Sequence, residues 1–193
     1  MTSVFNHINS PELPILIRAG KVGVLPTDTL YGLVCSASNK LAVANLYKLK
    51  NRDKKPGTII AASIDQLVGL GLKKRYLKAV EQYWPGAVSV VLPTDNPELS
   101  YLDQGVGTLA VRVVDDPSVA SLLHKVGPLL TSSANTPGDD PAVSIAAAQE
   151  YFGGTIDFYV DGGDMESRQA STLIRIIDDT PEVLRQGSGI VTS

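Results

Sequence analysis

Polar and apolar positions alternate along this chain with two different periods. Short apolar runs or two-residue alternations recur at Val22–Leu25, Leu30–Cys35, Thr58–Ala62, Ala87–Leu92, Thr108–Val113, Pro128–Leu130, Phe158–Val160, Ser171–Ile177 and Val183–Leu184. They predict strands. Helical spacing separates several of them. Ser10-Pro11-Glu12 reads as a helix start, with Leu13, Leu16 and Ile17 as the apolar face. Asn39 to Leu49 places Ala42, Val43, Leu46 and Leu49 on one side. Ser63-Ile64-Asp65-Gln66 is a capping-box signature, and Lys73–Tyr83, Asp116-Pro117 to about Val126, and Ser144–Tyr151 complete the helices. Pro93–Gly107 and Thr136–Pro141 are rich in turn residues and read as exposed loops. Strands alternate with helices, and the helices thin out late. The expected fold is α/β, a twisted mixed parallel and antiparallel sheet with flanking helices.

A chain of 193 residues with 44% hydrophobic and 19% charged positions suits one soluble domain spanning 1–193. One cysteine, Cys35, excludes an internal disulfide framework and fits a reducing compartment; its apolar setting makes it a small core residue. No long apolar span appears, and Met1–Asn9 is polar where a leader's apolar stretch would lie, so the reading is cytoplasmic, without a membrane partner. A net charge of -3 argues against a dedicated duplex-DNA binder. It makes the local basic run more conspicuous. Lys48, Lys50, Arg52, Lys54 and Lys55 are five of the 17 basic residues, within eight positions, on a helix-to-strand connector that ends at Pro56-Gly57. A helix C-terminus favours cations, which accounts for Lys48 and Lys50. It leaves Arg52, Lys54 and Lys55 for an anionic ligand.

Four polar clusters follow strand or helix ends, where α/β proteins carry their sites: Thr27-Asp28-Thr29, the basic connector, Ser132-Ser133-Ala134-Asn135, and Arg185-Gln186-Gly187. Any one of them is ordinary turn chemistry; together they suit a polyanionic ligand with polar handles. His7 and His124 lie outside any zinc spacing, Asp161 and Asp164 flank a Gly-Gly turn, and no metal site is assigned. Ser133 has no nucleophile-elbow context, and neither phosphate-loop glycine pattern is present. Trp84 beside Pro85-Gly86 reads as a packing anchor.

Leu25-Pro26-Thr27-Asp28-Thr29-Leu30-Tyr31-Gly32-Leu33 resembles the signature of the YrdC-like threonylcarbamoyl-AMP synthases, and Lys50-x-Arg52 with Ser133-x-Asn135 resembles that family's paired motifs. Trp84-Pro85-Gly86, Thr108–Arg112, Ser171-Thr172 and Arg185-x-Gly187 follow in the family's order, so the resemblance covers about Gly20 to Gly189. It implies a large, positively charged cleft. It also implies synthesis of L-threonylcarbamoyladenylate and pyrophosphate from L-threonine, bicarbonate and ATP, with magnesium assisting. The product would serve N6-threonylcarbamoylation of tRNA position 37, which makes the tRNA threonylcarbamoyl-transfer proteins the downstream partners and tRNA itself a candidate one. By the same resemblance, Lys50 and Arg52 are catalytic, and Thr29, Arg112, Ser133 and Ser171 hold threonine. Arg52, Lys55, Thr108, Asn135, Ser144 and Arg185 surround ATP. The connector is shorter than the commoner family form, which leaves open which of Lys54, Lys55 or Pro56 meets the nucleotide. That spacing keeps a carbamoyl-phosphate-using domain of the hydrogenase-maturation type as one alternative. A non-catalytic RNA-binding module is the other.

Overall fold

A computed structural model describes residues 2–191, so Met1 and the last two positions of the expected 1–193 domain lie outside the described residues. The chain order is β1 (Ser3–Phe5), α1 (Leu13–Arg18), β2 (Gly23–Pro26), β3 (Tyr31–Ser36), α2 (Lys40–Leu49), β4 (Thr58–Ala61), α3 (Ile64–Leu70), α4 (Lys74–Lys78) and β5 (Val88–Pro93). It continues with α5 (Ser100–Asp103), β6 (Thr108–Val113), α6 (Pro117–Val126), β7 (Leu129–Ser133), α7 (Ile145–Phe152), β8 (Phe158–Val160), β9 (Thr172–Ile177) and β10 (Thr180–Arg185). The strands form one sheet in the order β1-β8-β2-β3-β7-β4-β6-β5-β9-β10. Parallel pairs (β1/β8, β2/β8, β4/β6, β5/β9) mix with antiparallel ones.

The two faces of this sheet are built differently, and the difference makes the site. Side chains alternate across a strand. Tyr31, Leu33, Cys35, Ile59, Ala61, Leu109, Val111, Val113, Leu130, Val90 and Ile174 belong to one core, covered by α2 and its neighbours. On the other face, Leu25, Val34, Ile60, Leu129 and Phe158 form a second core with α1 and α6, through Leu13, Ile17, Val119, Leu122 and Leu123. Farther along the same strands, on that same face, the residues become small or polar: Gly32, Thr58, Ala110, Thr131 and Ser133. In register, Gly32 pairs with Ser133, and Thr58 lies between Thr131 and Ala110. A cavity opens over this half of the face.

Three local expectations shift. Ser10 does not cap α1: its hydroxyl bonds the His7 carbonyl, a turn intervenes, and the helix begins at Leu13 with Pro14 in its first turn. The expected exposed loop Pro93–Gly107 contains α5, and Leu99 and Leu102 anchor it in the core. The Lys73–Tyr83 helix is also broken, into α4 and a 3-10 turn at Glu81–Tyr83. Among the described residues no helix is long and apolar enough to cross a membrane.

Candidate active site

The cavity encloses about 270 Å³. Its floor is Gly32, Thr58, Ala110, Thr131 and Ser133, and its walls include Thr29, Arg52, Arg112, Ser171 and Arg185. Each wall comes from the end of a regular element. Thr29 lies on the tight β2–β3 turn, which the Thr27 hydroxyl organises. That oxygen accepts from the Thr29 and Leu30 amides at 3.2 Å, and the hydroxyl donates to the Leu30 carbonyl at 2.7 Å. The pattern is a side-chain turn of the kind serine and threonine favour.

Arg112 projects from β6 and is 3% exposed. Its Nε and Nη2 grip Asp28 bidentately at 3.1 and 2.7 Å, and Nη1 donates to the Ser89 hydroxyl at 3.0 Å. Nη2 also reaches Thr29 Oγ1 at 3.4 Å. Most of its donors are therefore engaged by protein. Ser89 Oγ lies 2.9 Å from Ser171 Oγ, and Arg185 Nη2 donates to the Ser171 carbonyl at 2.9 Å. Thr29, Asp28, Arg112, Ser89, Ser171 and Arg185 thus form one connected polar network around the cavity.

The basic connector reaches the opposite wall. α2 ends in a Schellman motif: Asn51 takes the left-handed conformation at φ 44°, its amide donates to the Lys48 carbonyl, and the Arg52 amide donates to that of Tyr47. Asparagine tolerates that conformation better than most residues. The turn aims Arg52 at the cavity, where its Nη1 lies 3.4 Å from the Lys55 and Pro56 carbonyls. Burial lowers the Arg52 guanidinium pKa; burial and the charges of Arg112 and Arg52 lower that of Arg185. Three guanidinium groups therefore share a partly dry cavity, and no carboxylate lines its wall among the described residues. An anion there would relieve their mutual repulsion.

Lys50 has a different position from the one the motif suggests. It is 3% exposed and lies behind the wall. Its ammonium donates to the Ser133 carbonyl at 2.9 Å, the Asn135 carbonyl at 2.5 Å and Asn135 Oδ1 at 2.8 Å. Three donors meet three acceptors. Burial, then the charge of Arg52, brings its pKa down to about 8. Asn135 Oδ1 also accepts from Ser133 Oγ at 2.7 Å, so the Ser133–Asn135 turn is stapled to the end of α2.

The cavity thus gathers Thr29, Arg52, Arg112, Ser133, Ser171 and Arg185 of the expected set, with Lys50 and Asn135 just behind them. It does not gather Lys55, Thr108 and Ser144. Lys55 is exposed on the connector, and Thr108 sits at the outer end of β6. Ser144 caps α7, its hydroxyl accepting from the Ala147 amide at 3.2 Å. Ser89 and Thr131 are site neighbours that motif reading missed, and Asp28, inside the Thr27-Asp28-Thr29 cluster, takes a role the sequence did not assign it, as the partner of Arg112. The alternation on β7 was a usable signal for Thr131: two leucines give way to Thr-Ser-Ser. The hydroxyl of Tyr31, from the signature stretch, accepts from the Gly162 amide at 2.8 Å and donates to the Gly163 carbonyl at 2.9 Å, tying down the β8–β9 connection. Cys35 is a core residue whose thiol burial pushes up to about 12. Trp84 is a packing anchor, its indole N–H donating to the Val88 carbonyl at 2.8 Å.

The Sua5/YciO/YrdC family model, described as telomere recombination, matches residues 15–187. A threonylcarbamoyl-AMP synthase of Pseudomonas savastanoi pv. phaseolicola is 35% identical over 174 residues, covering 89% of this chain and 93% of the relative. A threonylcarbamoyl-AMP synthase of Bacillus subtilis is 32% identical over 187 residues, covering 93% of this chain and 54% of the relative. The crystal structure of P. abyssi Sua5 complexed with L-threonine superposes with a TM-score of 0.83 at 28% identity, covering 96% of this chain and 58% of that one. The chain therefore spans a little over half of these two longer proteins. With most of its length matched by the family model, the chain belongs to the Sua5/YciO/YrdC family.

Proposed function

We infer that this protein is an L-threonylcarbamoyladenylate synthase. The observation that carries the reading is the convergence of Arg52, Arg112 and Arg185 with the hydroxyls of Thr29, Thr131, Ser133 and Ser171 on one cavity. The names of relatives with matching length support it.

Threonine's amine adds to the carbon of bicarbonate and water leaves, giving the N-carboxylate. One carboxylate oxygen then bonds to the α-phosphorus of ATP, the bond from that phosphorus to the β-phosphate bridging oxygen breaks, and pyrophosphate departs with the electron pair. Negative charge accumulates on the α-phosphoryl oxygens and the leaving group. Arg52 and Arg185 would neutralise it where fixed cations, in a partly dry site, act strongly. Arg112, held by Asp28, with Thr29 and Ser171 beside it, would present its remaining donor and the neighbouring hydroxyls to threonine. Ser133 would face threonine and Asn135 the nucleotide, both kept in place by Lys50. The N-carboxylate is short-lived in water, so enclosing it beside the phosphate is a large part of the task. Magnesium would enter with the triphosphate as its counter-ion. The adenylate would pass to the proteins that carry the threonylcarbamoyl group to tRNA in the cytoplasm.

The test is pyrophosphate release from ATP and magnesium, with threonine and bicarbonate each omitted in turn. Dependence on both is the expected result. Arg52→Ala and Arg185→Ala should each lower turnover by roughly 100-fold, as loss of one charge-stabilising donor does elsewhere. Release driven by carbamoyl phosphate without threonine would overturn the reading.

A further inference from the structure

The connector that carries Arg52 is fixed at its start by the α2 cap, where the Arg52 amide donates to the Tyr47 carbonyl at 3.0 Å. Beyond that point its main chain is held by a residue from another part of the chain. Gln104 follows α5, and its side-chain amide spans the connector: Oε1 accepts from the Lys55 amide at 2.8 Å, and Nε2 donates to the Arg52 carbonyl at 3.0 Å. Both polar atoms of one amide are thus spent on the main chain at positions 52 and 55. The remaining internal contacts of the loop are the 3.4 Å approaches of Arg52 to the Lys55 and Pro56 carbonyls, at the limit of hydrogen bonding.

The base of this clamp is rigid. Tyr47 Oη donates to the Leu102 carbonyl at 2.5 Å and accepts from the Gly57 amide at 3.2 Å, joining α2, α5 and the connector's far end. Asp103 is buried; its Oδ1 accepts from the Gly105 amide at 2.8 Å, and its Oδ2 accepts from the Thr94 hydroxyl. Leu99 and Leu102 are in the core. Gln104 itself adopts the left-handed conformation, φ 54° and ψ 30°. A long side chain gains nothing from that backbone state, and non-glycine residues held there cost stability that surrounding contacts must offset. As the left-handed cap residue it ends α5, and from there its side chain makes the two hydrogen bonds to the connector.

We propose that Gln104 is a positioning residue that fixes the Lys50–Gly57 connector and thereby sets the Arg52 guanidinium over the cavity. It touches no reacting atom. It acts through Arg52, and so the inference rests on the role given to Arg52 above.

Two variants isolate the amide from the backbone. Gln104→Gly accepts φ 54° without strain and deletes the side chain. Gln104→Asn also tolerates that conformation and keeps an amide, one methylene too short to span 52 and 55. Both should lower kcat/KM for ATP about 10-fold, the loss of two ordinary hydrogen bonds, with KM for threonine unchanged. In an Arg52→Ala background neither should lower it further. Hydrogen exchange of the connector, read by mass spectrometry on the protein alone, should quicken in both variants while α2 and β4 stay protected. Wild-type kinetics and exchange in Gln104→Gly, with Arg52→Ala impaired, overturn this inference alone. An equal loss with and without Arg52 also overturns it, because Gln104 would then act by another route. A fully active Arg52→Ala would overturn the assignment of Arg52 and this inference with it.

Discussion

Asp28→Asn is the sharpest single perturbation of the site. Asp28 and Arg112 have side chains 5% and 4% exposed and meet through two hydrogen bonds of 2.7 and 3.1 Å. The asparagine is nearly isosteric but removes the charge and sets an N–H against one guanidinium N–H. Breaking a buried pair from one side costs about 3–5 kcal/mol, because the other charge stays buried without its partner. Here Arg112 keeps Ser89 at 3.0 Å and a distant Thr29, so the lower end, about 3 kcal/mol, is expected. For a chain of this size that corresponds to a fall in melting temperature of roughly 6–12 °C, measurable by calorimetry. The urea midpoint should fall by about 1–3 M at slopes of 1–3 kcal/mol/M. The same change frees Arg112 to swing, so KM for threonine should rise while KM for ATP changes little. The double variant Asp28→Leu/Arg112→Met should recover much of the stability and none of the activity, since an apolar pair removes both buried charges. A melting temperature for Asp28→Asn within about 2 °C of wild type, with unchanged threonine kinetics, would refute the claim that this pair orders the cavity.

Lys50 makes turnover pH-dependent: a neutral amine has two N–H groups for three acceptors, so activity should fall as pH rises through about 8 and recover on return. Because its folded pKa lies below the ordinary 10.5, the unfolded chain holds more protons between about 8 and 10.5. Unfolding free energy from this group therefore rises with pH in that window, opposite in direction to the activity, and urea titrations at several pH values against Lys50→Met test that separation. Gly57→Ala should cost about 1–3 kcal/mol and lower kcat, read by urea melts and steady-state kinetics, because an added Cβ would lie 2.6 Å from the Thr131 carbonyl across the β4–β7 pair.

The strands were legible because their alternation is strong: β6 falls at Thr108–Val113 as the pattern predicts, and α6 begins at Pro117 behind an Asp116 cap that accepts from Ser118 and Val119 amides. The order of strands was not legible, since β7 inserting between β3 and β4 is a matter of long-range pairing. α5 was hidden because four residues rich in turn formers carry no helical period; only Leu99 and Leu102, at i and i+3, marked a buried face. At the site, the motifs picked out Arg52, Arg112, Ser133 and Arg185, because each lies at or near the end of an element whose pattern was legible. They could not show that Lys50 points backward into Ser133 and Asn135 rather than outward, since the same residue type serves both roles. They could not show Gln104 either, because a clamp between positions 49 and 52 residues apart leaves no local signature.

The most direct measurement of the central claim is to incubate the purified protein with ATP, magnesium, L-threonine and 13C-labelled bicarbonate, and to follow the adenylate by mass spectrometry. A threonylcarbamoyl-AMP ion carrying the label is expected, absent without threonine and sharply reduced in Arg52→Ala. A folded protein that forms no labelled adenylate, under conditions in which an authentic synthase does, would contradict it.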